Sequence, residues 1–243
     1  MRKIEVLGVA GAGKSTLVRV LGERTGCQTA GFIHARRPAH LLQIVRGIPR
    51  LLPILATGTA RRPRMTWREW KLLTYVSRWQ HVLDRGAPPR GAALLFDQGP
   101  LYALVRLQAE AKPFTARPAF ERWRGEMLER WASELEAVVW LDAPDAVLWN
   151  RINERPQGHG TKGEEAGSGH RFIVRYRRSF EDLLHRLGGS RGPRVLRFDT
   201  SAMTAERIAE AIGSQLRLSP GAAGADRTAP APEDGREENP DGG

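Results

Sequence analysis

A chain of 243 residues that is 41% hydrophobic has enough apolar material for one soluble domain of the larger kind. Its single cysteine, Cys27, excludes an internal disulfide, and no apolar run is long enough to span a membrane, since the longest candidate, Leu41 to Leu55, is broken by Arg46 and Arg50. The net charge of +11 is unevenly spread: residues 219–243 carry two basic and six acidic side chains, leaving 36 basic against 21 acidic and a body of +15 that suits anionic ligands.

The first predicted element is a short buried strand, Ile4 to Leu7. It runs into Gly8-Val9-Ala10-Gly11-Ala12-Gly13-Lys14-Ser15-Thr16, which fits G-x-x-x-x-G-K-[ST], the phosphate-binding P-loop. Lys14 to Leu21 reads as the helix that must follow. In such a loop successive backbone N–H groups point at one concave spot, and glycine lets a phosphate approach where a Cβ would block it. Gly8, Gly11, Ala12, Gly13, Lys14, Ser15 and Thr16 are therefore the expected nucleotide-binding residues. Lys14 reaches the β- and γ-phosphates, Thr16 assists at the α-phosphate, and the Ser15 hydroxyl ligates Mg²⁺. Lysine is scarce, occurring only at 3, 14, 71, 112 and 162, so an ammonium at position 14 is not compositional drift. A secretory peptide is not expected, because its cleavage would remove this loop. Cys27 reads as a small buried hydrophobe in a reducing, cytoplasmic compartment.

Cys27 to Ile33 allows a second strand. His34 to Ala56, punctuated by Pro38, Pro49 and Pro53, reads as short helices over a site. Thr66 to Leu83 is a helix opened by a capping box, Thr66 with Glu69 three residues on. Its Trp67, Trp70, Tyr75 and Trp79 read as core, not as a base-stacking surface. Ala92 to Asp97 is an apolar run ending in a carboxylate, a buried parallel strand with Asp97 at its C-terminal edge. Helices are expected over Leu101 to Ala111 and Phe120 to Leu135. Ala137 to Asp142 is another apolar strand, and Pro144 starts a helix through Arg151 to about Glu154. Gln157 to Gly169 is a polar, Gly-rich loop, followed by a helix from Phe172 to Leu187. Arg194 to Asp199 is the last strand, and Thr204 to about Leu216 an amphipathic helix. The expected division is a P-loop domain over 1–218 and a disordered acidic, Pro/Gly-rich tail over 219–243.

Five strands alternating with helices imply an α/β three-layer sandwich, a parallel five-stranded sheet with helices on both faces and ligands at the C-terminal strand ends. Asp97 and the P-loop belong at that edge. An aspartate there can hold Mg²⁺, accept the proton of an attacking hydroxyl or position a substrate; it can also merely cap the next helix. Arg151 and Arg155 sit four apart on one helix face that runs into the Gly-rich loop, the arrangement of an arginine lid able to stabilise a transferring phosphoryl group.

Together these segments resemble the thymidylate kinase branch of the nucleoside and nucleotide kinases, over roughly residues 4 to 212. Besides the P-loop, Leu72 to Val82 is similar to that family's helix with an A-D-R-x-x-H core. Asp97 is similar to the aspartate of its D-R-Y motif, Leu141 to Arg155 to its strand and arginine lid, and Phe172 to Leu183, with Arg175 and Arg177, to the helix that follows. The resemblance implies that Arg78 contacts the acceptor and that Lys14, Asp97, Arg151 and Arg155 are catalytic. It also implies that Arg78 and Asp97 bind substrate, and that Ser15 and Asp97 hold the metal. Two departures stand out: Leu7 replaces an acidic residue before the first P-loop glycine, and Gln98 replaces the arginine of D-R-Y.

The expected activity is transfer of the γ-phosphoryl of ATP, with Mg²⁺, to a nucleotide, nucleoside or similar small acceptor in the cytoplasm, by a chain compatible with a homodimer and without a membrane. Two alternatives stay open. A 5′-end nucleic-acid kinase follows from the basic body, although its basic residues are dispersed. An ATP-binding regulatory protein without a small acceptor follows from Gln98.

Overall fold

The computed structural model describes residues 2–30, 49, 51, 54, 66–83, 93–110, 114–154, 166–188 and 192–218. The central strand is β1 (Lys3–Gly8), whose Ile4, Val6 and Leu7 are fully buried. It pairs in parallel with β3 (Leu94–Asp97) on one side and β4 (Ala137–Asp142) on the other. Outside these lie β2 (Gln28–Ala30) and β5 (Arg194–Asp199), giving the order β2-β3-β1-β4-β5. Such near-continuous apolar strands are what a sheet covered on both faces requires. The register sets Val6 beside Asp97, Gly8 beside Leu141 and Asp142 beside Asp199, which aligns the carboxyl ends of four strands. The chain leaves β1 toward β2 on one side and reaches β4 on the other. The crevice above β1 is therefore the switch point where open α/β sheets bind ligands.

The right-handed rule for parallel crossovers predicts where the helices go. On one face α1 (Lys14–Thr25) packs against the last helix, α7 (Ala205–Leu216). On the other, α3 (Pro100–Ala109) packs against α2 (Trp67–Leu83), α4 (Pro118–Glu134) and α6 (Ala166–Leu187), and α5 (Asp145–Glu154) lies against α6. Aromatic side chains join this layer to the sheet: Trp140 of β4 meets Phe180 of α6 at a tilt of 49° with centroids 4.9 Å apart, and Phe96 of β3 meets Trp131 of α4 edge-on at 6.3 Å. The indole N–H of Trp131 donates to the Val76 carbonyl and that of Trp123 to the Ser77 hydroxyl, so the two rings bury their bulk without orphaning a donor. Full burial of one large apolar side chain contributes about 2–3 kcal/mol.

Helix α2 begins as its sequence predicts. The Thr66 N–H donates to Glu69 Oε2 at 2.7 Å, and the Glu69 N–H donates to Thr66 Oγ1 at 3.3 Å. Tyr75 is buried and Trp70 packs against the core, in line with the core reading; the Trp67 and Trp79 side chains fall outside the described residues. Cys27 is a free, buried thiol. Helix α6 departs from expectation: it starts at Ala166, six residues before Phe172, so 166–169 are helical and not loop. Glycine suits position 169 because Trp149 of α5 packs on it, where a Cβ would come within 1.9 Å of the indole. The helices expected within 34–56 and the tail 219–243 lie outside the described residues, apart from 49, 51 and 54.

Candidate functional site at the carboxyl edge of the sheet

The loop between β1 and α1 bends back through glycines. Gly11 and Gly13 have φ of 87° and 82°, the left-handed region that other residues enter only with strain. Gly13 is the N-cap of α1 and makes no side-chain cap, so the first N–H groups of the helix face the crevice. A Cβ on Gly11 would sit 2.7 Å from the Leu148 carbonyl, while one on Gly13 would meet nothing within 4 Å. The loop is thus packed against α5 on one side and open on the other. Ala12 is buried under it, and Thr16 is exposed toward the crevice.

Lys14 is only 8% exposed. Its ammonium donates to the carbonyls of Gly8 and Val9 at 2.9 and 3.0 Å, inside the cradle of its own loop, and lies 5.6 Å from the centroid of the Tyr102 ring. Ser15 Oγ donates to Asp97 Oδ2 at 2.7 Å. The other oxygen, Asp97 Oδ1, is buried and has no hydrogen-bond partner among the described residues. Loop and strand-end carboxylate, 82 residues apart, thus meet at one point.

Arg151 of α5 reaches across to the same edge. Its guanidinium donates to Thr200 Oγ1 at 2.8 Å, to the Thr200 carbonyl at 2.9 Å and to the Gly11 carbonyl at 3.4 Å. Arg155 lies outside the described residues. Arg78 is on α2, and its side chain is likewise outside them.

Beside the loop opens a cavity of about 620 Å³, walled by Gly11, Gly13, Thr16, Arg151 and the turn after β5, from Thr200 to Ala205. That wall was not anticipated from the sequence. The turn is built by Asp199, whose carboxylate accepts from the Ser201 hydroxyl and N–H at 2.6 and 2.7 Å; these bonds hold its pKa below the usual carboxylate range. Thr200 is tied to β4 through its N–H to the Asp142 carbonyl at 2.8 Å.

A buried carboxyl beneath the site was also not anticipated. Glu5 is fully buried in the middle of β1 and accepts from the N–H groups of Leu101 and Tyr102 at 3.1 and 2.8 Å. Burial pushes its pKa up to about 8, against the pull of those two bonds. Tyr102, partly buried, has its pKa pushed up as well, chiefly by desolvation. The only sequence signal was a charged residue inside an apolar strand.

Arg177 of α6 turns away from the cavity. It holds Asp142 through two bonds, from Nε at 2.9 Å and Nη2 at 3.1 Å, donates to the Ala143 carbonyl at 2.8 Å and pairs with Asp145. Burial opposes its charge, but the hydrogen bonds it donates to Asp142 and Asp145, with their negative charge, outweigh burial and raise its pKa.

The ligand-binding potential follows from these groups. Two oxygen donors at Ser15 and Asp97, one carboxylate oxygen still lacking a partner, suit a hard cation such as Mg²⁺ that keeps waters and phosphate oxygens in its other positions. Among the described residues there is no cluster of three or more His, Cys, Asp or Glu side chains that would hold a metal alone. No described helix is long and apolar enough to cross a membrane.

No family model and no curated protein matches the sequence. Solved structures do. Deoxyadenosine kinase from M. mycoides with bound dATP superposes with a TM-score of 0.55 at 14% identity, over 89% of this chain and 100% of that one. The same enzyme with dCMP and a flexible dCDP gives 0.51 at 12% identity, over 88% and 98%. The YorR protein from Bacillus subtilis in complex with phosphorylated GDP gives 0.50 at 14%, over 89% and 96%. The chain has the α/β P-loop fold of these proteins. At such identities the likeness speaks for the fold.

Proposed function

We propose that the protein is an ATP-dependent kinase that phosphorylates a nucleoside, a nucleotide or a related small hydroxylated acceptor. The observation that carries this reading is the meeting of Ser15 and Asp97 at the glycine loop, whose Gly11, Gly13 and Thr16 line an open cavity together with Arg151. The fold shared with a deoxyadenosine kinase supports a nucleoside-type acceptor. A thymidylate kinase-like acceptor, the finer reading, rests on the sequence resemblance.

In this reading the backbone N–H groups of Gly11 to Ser15 bind the phosphates of ATP, with Thr16 at the α-phosphate. The Lys14 ammonium leaves the Gly8 and Val9 carbonyls for the phosphate oxygens, and Tyr102 backs it. Ser15 and Asp97 would hold Mg²⁺, which when bound neutralises charge on the phosphates. Asp97 also orients or deprotonates the acceptor hydroxyl. Arg151 stabilises charge on the transferring group, joined by Arg155, while Arg78 positions the acceptor. The Thr200–Ala205 wall shapes the remainder of the nucleotide pocket.

The test is a phosphoryl-transfer screen with ATP, Mg²⁺ and nucleosides, nucleoside monophosphates, sugars and a 5′-hydroxyl oligonucleotide. Acceptor-dependent ADP release is expected from a nucleoside or nucleotide. Lys14→Ala should lower that rate by about 10³-fold or more while the protein still melts cooperatively; unchanged turnover would sink the assignment. One observation favours an oligonucleotide acceptor instead: Arg171, Arg175 and Arg178 form an exposed basic face on α6. Steeply salt-dependent phosphorylation of the oligonucleotide would support that reading. Tight ATP binding with no stimulating acceptor would favour a regulatory role.

A further inference from the structure

We infer that Glu5 is a positioning residue for the nucleotide site: from the central strand it caps helix α3 and holds Asp97 and Tyr102 in the register at which they meet Ser15 and Lys14. The inference deepens the kinase reading and rests on it for its functional part.

Helix α3 has Gly99 at its N-cap, which has no side chain to offer, and Pro100 at its first position, which has no N–H. The first N–H groups needing a partner are those of Leu101 and Tyr102. Both find one on Glu5, one at each carboxyl oxygen. The capping residue thus comes from a strand almost a hundred positions earlier. Gly99 makes room for it: a Cβ there would stand 2.7 Å from Glu5 Cδ and 2.8 Å from Oε1.

Between this cap and Asp97 sits Gln98 with a φ of 59°, a left-handed conformation that a non-glycine residue keeps only when its flanks determine it. One flank is Asp97, paired in register with Val6 and bonded to Ser15. The other is the segment Gly99 to Tyr102, bonded to Glu5. Tyr102 in turn lies against the Lys14 ammonium. One buried carboxyl therefore indexes both the strand-end carboxylate and the ring behind the P-loop lysine.

The cap calls for an acceptor at this position, and a buried acid supplies it at a desolvation cost. Glu5 is 0% exposed, and Tyr75 of α2 and Tyr102 of α3 face it from the helix layer. An apolar residue would be cheaper to bury but would leave the Leu101 and Tyr102 N–H groups without this acceptor. Fixing register is the best-attested use of a buried polar group.

The experiment compares the full-length protein with Glu5→Gln, which keeps the shape but turns an amide –NH₂ toward one of the two N–H groups. Amide hydrogen exchange is read first, without nucleotide. Exchange about tenfold faster is expected in 97–102 and in 11–16, with 194–199 and 205–216 unchanged. ATP affinity is then measured by calorimetry in Mg²⁺ and in EDTA. Glu5→Gln should lower the Mg²⁺-dependent gain about fivefold and leave the EDTA affinity within twofold. In an Asp97→Asn background it should lower the gain no further. Should Glu5→Gln fail to fold, Gly99→Ala presses on the same carboxyl, as well as on Phe96 Cβ, and should give the same pattern. Exchange that is unchanged at 97–102, or raised evenly over the sheet, would overturn the inference, as would a loss that adds to that of Asp97→Asn. A wild-type protein that binds no ATP would overturn the kinase reading, while the exchange result would still decide the positioning.

Discussion

Arg151 and Arg177 are both half-buried guanidinium groups on consecutive helices of the same connection, yet their surroundings differ in kind. Arg177 is held by the carboxylates of Asp142 and Asp145, so its charge is matched within the protein. The hydrogen bonds of Arg151 go to neutral oxygens, those of Thr200 and Gly11, at the wall of the cavity. Among the described residues no carboxylate forms an ion pair with it. A guanidinium satisfied by neutral acceptors is oriented but retains most of its attraction for an anion; one locked between carboxylates has little left. The difference separates an arginine suited to a phosphate from one that fastens β4 to the helix layer, although the sequence resemblance touches both.

Replacing each by alanine should split activity from stability. Arg151→Ala is expected to lower turnover about 10²–10³-fold, equivalent to about 3–4 kcal/mol of transition-state stabilisation, with little change in the urea midpoint. A fall in stability with turnover intact would reverse the assignment. Arg177→Ala should do the opposite. It leaves two carboxylates without their shared cation and should cost about 2 kcal/mol of stability, read as a lower midpoint in urea. Its turnover, measured well below that midpoint, should fall much less than that of Arg151→Ala.

A third ionisable group sharpens the contrast, because backbone N–H groups hold it. The pKa of Glu5 rises from 4.5 to about 8 on folding. Between those values the folded protein keeps a proton that the unfolded chain has lost. Stability is therefore greatest below about pH 4.5 with respect to this group and falls as pH rises toward 8. The slope is at most about 1.4 kcal/mol per pH unit. Urea midpoints at pH 5, 6.5 and 8 should decline in the wild type and lose that part of the decline in Glu5→Gln. An equal decline in both proteins would show that Glu5 does not carry it.

What the sequence disclosed follows the range of the interactions. The capping box at Thr66 joins residues three apart and was legible, as were the P-loop and the strands Ala137–Asp142 and Arg194–Asp199, whose signals are local patterns. Asp97 was legible because an apolar run ended in it, although its contact with Ser15 spans 82 positions. The cap that Glu5 supplies, the grip of Arg177 on Asp142 and the cavity wall at Thr200 depend on strand order, which no local pattern encodes. The early start of α6 was hidden for another reason. Glycines at its N-terminal end look like loop, whereas Gly169 is small because Trp149 presses on it.

The smallest expected effect tests where the Arg177 cluster ends. His170, near the start of α6, approaches Asp145 through Nδ1 at 3.1 Å, so by distance alone it belongs with Arg177. Its side chain is 63% exposed, whereas that of Arg177 is 21% exposed. Water competes for the imidazole and screens whatever charge it carries, while Arg177 meets Asp145 where both are mostly covered. An exposed pair of this kind contributes at most about 0.5–1 kcal/mol. His170→Ala should therefore move the urea midpoint less than Arg177→Ala does, and adding it to Arg177→Ala should change little more. If His170→Ala alone matched Arg177→Ala, the contact between α5 and α6 would rest on the exposed end of the cluster, and the distinction drawn between the two arginines would lose its structural half.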